Sequence, residues 1–399
     1  MLAASSALEQ AASAPMRAQV ERWAAVNSGS RNLEGLARMA GLLADAFASL
    51  PGPVSLVDPE PVEAIDPAGA PILLEHGRNL HLTVRPEAPV QLLLTGHMDT
   101  VFGADHPFQT LTLREGGIMN GPGVADMKGG LAVMLAALQA VETSPLREKL
   151  GYEVVINSDE EVGSPGSAAL IARAARGKAA ALTYEPALLP DGTLAGARPG
   201  SGNFSLVVAG RSAHAGRNPE EGRNALLAAA DLALRLAGGI GPGLSVNPAR
   251  IDGGGPNNVV PDHAILRVNL RPRTPEDEAH ALSLLNSAIA GVAAERDVSI
   301  HLHGGFGRPP RAMTPEAGRL FALVRKCGAD LGQTIGWQPT GGVCDGNNIA
   351  ACGVPVVDTM GVRGGAIHSA GEYLILDSLK ERAMLSTLVL LRLAERGRP

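Results

Sequence analysis

Four short apolar runs, at residues 90–94, 152–156, 179–184 and 354–357, are separated by stretches of helical spacing. Runs this short and this uniformly apolar predict parallel strands covered on both faces, which places the chain in the α/β class. In open sheets of that class ligands bind beyond the carboxyl ends of the strands. Metal-capable side chains cluster at those ends. The first run leads into Gly96-His97-Met98-Asp99-Thr100, the second into Asn157-Ser158-Asp159-Glu160-Glu161-Val162-Gly163, and the third into Glu185-Pro186. The fourth precedes a glycine-rich stretch that reaches His368, and Asp126 stands just before the helical run 131–141.

At 399 residues, 45% of them apolar, the chain exceeds one ordinary core, and two domains are expected. Up to about residue 200 helices alternate with strands. Helical spacing covers 17–26 and 33–50, the second ended by Pro51-Gly52-Pro53. A later helix is expected to start with Ser164 as N-cap and Pro165 at its first position, with Gly177 just past its end. From 202 the order becomes strand 204–208, helix 224–236, strands 244–251 and 264–270, helix 276–293 and strand 298–302. That is the split βαβ arrangement of a ferredoxin-like domain. Alternation resumes with a helix at 315–331, the strand 354–357 and a last helix at 377–393. The expected division is therefore 1–201, 202–310 and 311–399, with a ferredoxin-like α+β unit inserted into a discontinuous α/β domain whose central sheet is mostly parallel.

The balance of 34 basic against 40 acidic residues gives a net charge of −6, and only 3% of residues are aromatic. Neither phosphate neutralisation nor base stacking has much material, so nucleic acid is not expected as a partner. Cys327, Cys344 and Cys352 lack the paired spacing of a disulfide framework or a zinc knuckle. The first sixteen residues show no leader pattern, and the run 131–141 is interrupted by Gln139 and short for a bilayer span. A cytoplasmic protein without membrane partners is the expectation.

A carboxylate pair at the mouth of a buried strand is costly unless a cation or a proton neutralises it. Two histidines with several carboxylates suit zinc, and by softness cobalt or manganese, better than calcium or magnesium. Asp99, Asp126, Glu160, Glu161 and Glu185 bring five formal negative charges to one cleft, more than one divalent ion offsets. Two ions about 3.5–4 Å apart would resolve the excess. Singly, each residue has a plainer use: Asp126 as a helix N-cap, Asp99 as a turn cap, either histidine as an ordinary surface or core residue.

In order and spacing, Gly96-His97-Met98-Asp99-Thr100, the stretch 121–130, Asp159-Glu160-Glu161-Val162-Gly163, Tyr184-Glu185-Pro186 and His368 resemble the two-zinc peptidase family of glutamate carboxypeptidase, acetylornithine deacetylase and succinyl-diaminopimelate desuccinylase. Within it the chain looks most similar to the bacterial glutamate carboxypeptidases. The resemblance implies that Asp126 bridges two zinc ions, with His97 and Glu185 completing one site and Glu161 and His368 the other. It makes Glu160 the general base and Asp99 the partner that orients the His97 imidazole. It also makes the insertion a lid and homodimerisation domain, in which His214, within Gly210-Arg211-Ser212-Ala213-His214-Ala215-Gly216, approaches the oxyanion, from the other subunit if the protein is a dimer. Asn258 and Arg271 match lid positions that hold the carboxylate of the released amino acid. Arg271 could equally sit on a solvated strand end, with Arg198, Arg273 and Arg363 open as alternatives. Cys344 stands where relatives commonly carry a hydroxyl residue. The implied activity is cleavage of the amide of an N-acyl or peptidyl amino acid, glutamate being the leading candidate for release. A deacylase or dipeptidase of other preference, or a metal-binding protein without turnover, are the alternatives.

Overall fold

The computed structural model of the protein describes residues 2–399. Its central sheet has six strands in the order Val54–Val57, Asn79–Val84, Leu150–Asn157, Val90–His97, Ala180–Thr183, Val356–Val357. The last four run parallel, and Asn79–Val84 pairs antiparallel with Leu150–Asn157 and with the edge strand Val54–Val57. Alternate side chains explain the unbroken apolar runs. Leu92, Leu94, Val154, Ile156 and Leu182 enter the large core on one face, while Leu93, Val155 and Ala181 enter a second cluster with Ile171, Ile349 and Val356 on the other.

The first face is covered by the helix Gly129–Glu142, packed against Asp377–Arg396, Leu2–Ser13 and Met16–Ala24. Gly129–Glu142 is buried on nearly every side, and Gln139 is the interruption because it reaches out to Ser49 Oγ at 2.8 Å. With the turn before it, the run Val124–Glu142 is long and apolar enough for a membrane span, contrary to the expectation from 131–141 alone; 94% of its most apolar stretch is buried inside the protein, as befits a core helix. The helix approaches the sheet closely because Gly130 has no Cβ, which would fall 2.0 Å from the carbonyl oxygen of Tyr184.

The inserted segment forms its own sheet, ordered Leu244–Gly253, His263–Pro272, Ser201–Ala209, Ser299–Arg308 and antiparallel throughout. Helices Ala225–Ala237 and Pro275–Arg296 cover one face, enclosing Phe204, Leu206, Leu232, Leu266, Leu270 and Leu285. Both helix starts are capped as their sequences suggest. Asn224 accepts from Leu227 N, and Thr274 and Asp277 form a reciprocal capping box.

Ser164 does not cap a helix. It adopts a left-handed conformation with φ of 59°, its hydroxyl bonds to Asp345, and the helix begins only at Ala168. Gly177, with φ of 74°, does lie just past the end of that helix.

Candidate metal centre

His97 is the last residue of its strand and almost wholly enclosed. Its Nδ1 lies 3.0 Å from the backbone oxygen of Asp99, so Nδ1 carries the proton and Nε2 offers its lone pair. That Nε2 faces Asp126 Oδ1 at 3.1 Å and Glu185 Oε2 at 3.7 Å. The Asp99 carboxylate is farther from the ring, at 3.4 Å, and accepts from Ser30 Oγ at 2.7 Å and from the backbone N–H groups of Glu160 and Glu161, both at 3.1 Å. Asp99 thus orients the imidazole chiefly through its carbonyl and fixes the Glu160–Glu161 turn through its side chain.

Asp126 sits in a tight turn, Val124–Lys128, entered through Gly123 at φ of 71°. The Glu372 carboxylate accepts from the N–H groups of Gly123, Ala125 and Asp126 at 3.1, 2.9 and 3.1 Å and so holds the turn open. The two oxygens of Asp126 address different imidazoles: Oδ1 that of His97, and Oδ2 that of His368 at 3.3 Å. His368 Nε2 also lies 3.1 Å from Glu161 Oε2. Donor atoms of His97, Glu160 and Glu185 fall within 4.8 Å of one another, as do those of His97, Asp126 and Glu161. The structure therefore assembles all six residues from segments spread between 97 and 368, and it places Asp126 as a two-ended carboxylate between two imidazole nitrogens.

Protons alone serve this cluster poorly. Burial pushes Glu160 up to about 7, against the pull of Arg308, and Glu161 and Glu185 up to about 8, with Asp126 adding repulsion to both. Hydrogen bonds to Asp126 and Glu161 raise His368 to about 11, while Glu185 lifts His97 against the cost of burial. Such a set of imidazole nitrogens and carboxylates, three of them glutamates that burial disfavours as anions unless a cation is near, fits divalent ions of the zinc type. Glu185 Oε1, buried and without a hydrogen-bond partner among the described residues, fits the same reading.

A pH dependence follows for chelated protein. The three glutamates hold protons in the folded chain that the unfolded chain releases near 4.5, so their contribution is full below that value and is lost as pH climbs through 7 and 8. His368 acts in the same direction, its share lasting below 6.5 and fading toward 11. Asp126 is depressed by its two histidines and titrates below this window. Chelated protein should melt at lower temperature at about pH 8 than at about pH 5, and zinc should restore most at about pH 8, where fewer protons compete. A chelated protein whose melting temperature rises over that interval would contradict the proton-holding cluster.

The cluster opens into a cavity of about 680 Å³ that Arg198, Arg271 and Arg308 also line. Arg198 is committed to Asp358 at 2.6 Å and to Gly342 O, and Arg363 to Glu381 at 2.7 Å. Arg271 spends its bonds on neutral acceptors, Asn269 Oδ1 at 2.9 Å and Gly341 O at 3.0 Å, and so keeps its charge available. Cys344 fills both duties of a hydroxyl: its sulfur accepts from Gly346 N and its thiol donates to Asp358 Oδ2 at 3.1 Å. His214 and Asn258 lie elsewhere. They are exposed neighbours, joined through a bridge from His214 to Val259 and an Ala215 N–H to Asn258 O bond, and neither lines the cavity of its own chain.

Three participants escaped the sequence reading. Arg308 Nη2 lies 2.6 Å from Glu160 Oε1, off the hydrogen-bond axis, and donates to Glu160 O at 2.9 Å and Ser164 Oγ at 3.0 Å. Asp345 accepts from Asn157, Ser164 and Arg308, and Glu372 holds the Asp126 turn. The only local hint was a glycine-rich strand end before Arg308; its partner stands 148 residues away.

Comparison with known proteins agrees with this architecture. Carboxypeptidase G2 from Pseudomonas sp. (strain RS-16) is 32% identical over 329 residues, covering 79% of this chain and 77% of that protein. Succinyl-diaminopimelate desuccinylase from Maricaulis maris is 26% identical over 325 residues, covering 75% and 80%. The crystal structure of a dinuclear metal-binding peptidase of the M20 family from Bacillus subtilis superposes with a TM-score of 0.67 at 14% identity, over 95% of this chain and 98% of that one. The sequence profile of peptidase family M20/M25/M40 matches residues 93–392, which include every residue of the cluster. The chain belongs to peptidase family M20/M25/M40.

Proposed function

We propose that the protein is a two-metal carboxypeptidase or amidohydrolase that cleaves the amide of an N-acyl or peptidyl amino acid and releases the amino acid with its free α-carboxylate, glutamate being the leading candidate. The observation that carries this reading is the division of the two Asp126 oxygens between His97 and His368. Asp126, His97 and Glu185 would hold one ion and Asp126, Glu161 and His368 the other. When bound, two zinc ions, or cobalt or manganese, polarise a carbonyl and supply a nucleophile at neutral pH.

The chain's own groups do the rest. Glu160, enclosed beside the ligands and braced by Arg308, takes the proton of the attacking water and hands it to the leaving nitrogen. Asp99 keeps the His97 proton on Nδ1 and holds Glu160 in reach. Arg271, with its charge uncommitted at the cavity wall, receives the α-carboxylate. The exposed pair His214 and Asn258 suits a homodimer formed through the segment 202–310, in which each lid completes its partner's cleft. This reading divides the chain at 201 and 310 and keeps it in the cytoplasm.

Removing a charge-assisted hydrogen bond to the substrate costs about 1.5–3 kcal/mol, so an amidated or esterified substrate should lose roughly 10- to 150-fold in kcat/KM against the free acid. Arg271→Ala should erase that difference. A release assay over N-acyl amino acids and dipeptides with defined zinc makes the measurement. Equal hydrolysis of free-acid and amidated substrates by the unaltered protein would favour a deacylase or dipeptidase of broader preference.

A further inference from the structure

A second cavity, of about 840 Å³, adjoins the first and shares Glu161, Arg271, Arg308 and Val343 with it. One wall is the uncovered face of the inserted sheet. Strand alternation sends Phe204, Leu206 and Leu266 to the helices, and turns Asn203, Ser205, Asn247, Arg267, Asn269 and His303 into the cavity. In a two-layer α+β unit such a polar face ordinarily meets bulk water. Here it is roofed by the hairpin Val62–Ile65 and Pro71–Leu74, which Arg267 ties down by donating to the carbonyl oxygens of Ile65 and Asp66. The same hairpin seats Ile65 against Val207 and Ile265. A roofed chamber with amide, hydroxyl and guanidinium groups on one side fits an extended polar chain rather than an apolar ring.

The charges add a preference. Arg267 is paired with Asp252 at 2.8 Å and Arg308 with Glu160, but Arg31, on the far wall, donates to Glu75 O and faces His76, both uncharged acceptors in neutral solution. Arg31 and Arg271 therefore present positive charge at two places in the chamber without a carboxylate partner among the described residues, against Glu63 as the one lining carboxylate outside the candidate metal cluster.

We infer that this chamber receives the acyl or peptidyl half of the substrate, and that it fits an extended chain bearing a carboxylate on that half, such as an acidic peptide. The inference rests on the amide-cleaving function proposed above. An amide has two halves, the cluster lies where the two cavities meet, and Arg271 at that junction is assigned to the released amino acid, which leaves the roofed side for the other half.

The test compares acetyl-Glu-Glu-Glu, acetyl-Ala-Ala-Glu and acetyl-Glu, all releasing glutamate, in zinc-loaded protein. Arg31→Ala should lower the ratio of kcat/KM for acetyl-Glu-Glu-Glu over acetyl-Glu at least tenfold, and lower the ratio for acetyl-Ala-Ala-Glu much less. Ala64→Trp, which fills the chamber from the hairpin, should lower both peptide ratios. Ratios within twofold of the unaltered protein in both variants overturn the chamber. Equal losses for the acidic and neutral peptides in Arg31→Ala overturn its acidic preference. If the unaltered protein hydrolyses none of the three, the release of glutamate falls and the chamber assignment with it; hydrolysis of all three with unmoved ratios removes the chamber assignment alone.

Discussion

Glu160→Ala should leave two metal ions on each chain and lower kcat at least about 10²-fold, the lower range for losing a group that moves a proton in the transition state. The expectation rests on a division of labour between adjacent residues. Glu161 faces His368 and stands near Asp126, whereas Glu160 is drawn toward Arg308, which meets its side chain at 2.6 Å and its carbonyl at 2.9 Å. Glu160 is also close enough to His97 and Glu185 that proximity alone would allow it to be a ligand. Metal content decides between these uses. A variant that retains both ions and loses turnover identifies the base; one that sheds an ion makes Glu160 a ligand, and near-normal turnover at full loading moves the base elsewhere. Glu160→Gln offers the same comparison with the volume kept, so that a collapsed cavity does not imitate the loss of a proton acceptor.

The opposite outcome is expected one residue later. Glu161→Ala should reduce the bound metal from two ions to about one and weaken the affected position by more than about 100-fold, because losing a group that only orients a ligand already costs 10- to 100-fold. His368 is more than half exposed and has no other carboxylate than Asp126 and Glu161 within 4 Å among the described residues, so it has little with which to compensate. Chelation of the unaltered protein should abolish hydrolysis, with zinc restoring it. Elemental analysis and steady-state rates read both effects. A Glu161 variant that keeps two ions at ordinary affinity would remove the two-site assignment.

Much of the sheet and the set of groups at its strand ends could be read from the chain, because both depend on local pattern. An apolar run of five or six residues buried on both faces leaves few alternatives, and a histidine or glutamate at its end has a defined place in space. The antiparallel strand Asn79–Val84 was missed because its Asn79, His81 and Thr83 interrupt the apolar pattern on which the parallel strands were recognised. Arg308 and Glu372 were missed for a different reason. Each acts on a turn far away in sequence, and a single arginine or glutamate carries no periodicity that would mark it. Ser164 shows local preference overridden: its hydroxyl would serve a helix start, yet Asn157, Asp345 and Arg308 converge on it. His214 and Asn258 were expected near the cleft, and within one chain they are not there.

Glu372 and His368 belong to one loop, and through them it supplies both the second imidazole beside Asp126 and the clamp on the Asp126 turn. During synthesis, the first 200 residues would therefore emerge carrying His97, Glu161 and Glu185 but with neither the second imidazole nor the support that presents Asp126. An ion arriving then would meet half a site of weakened grip. Both metal positions are thus expected to be complete only once this loop is present, and a chain truncated before residue 368 should bind metal less tightly than the whole protein.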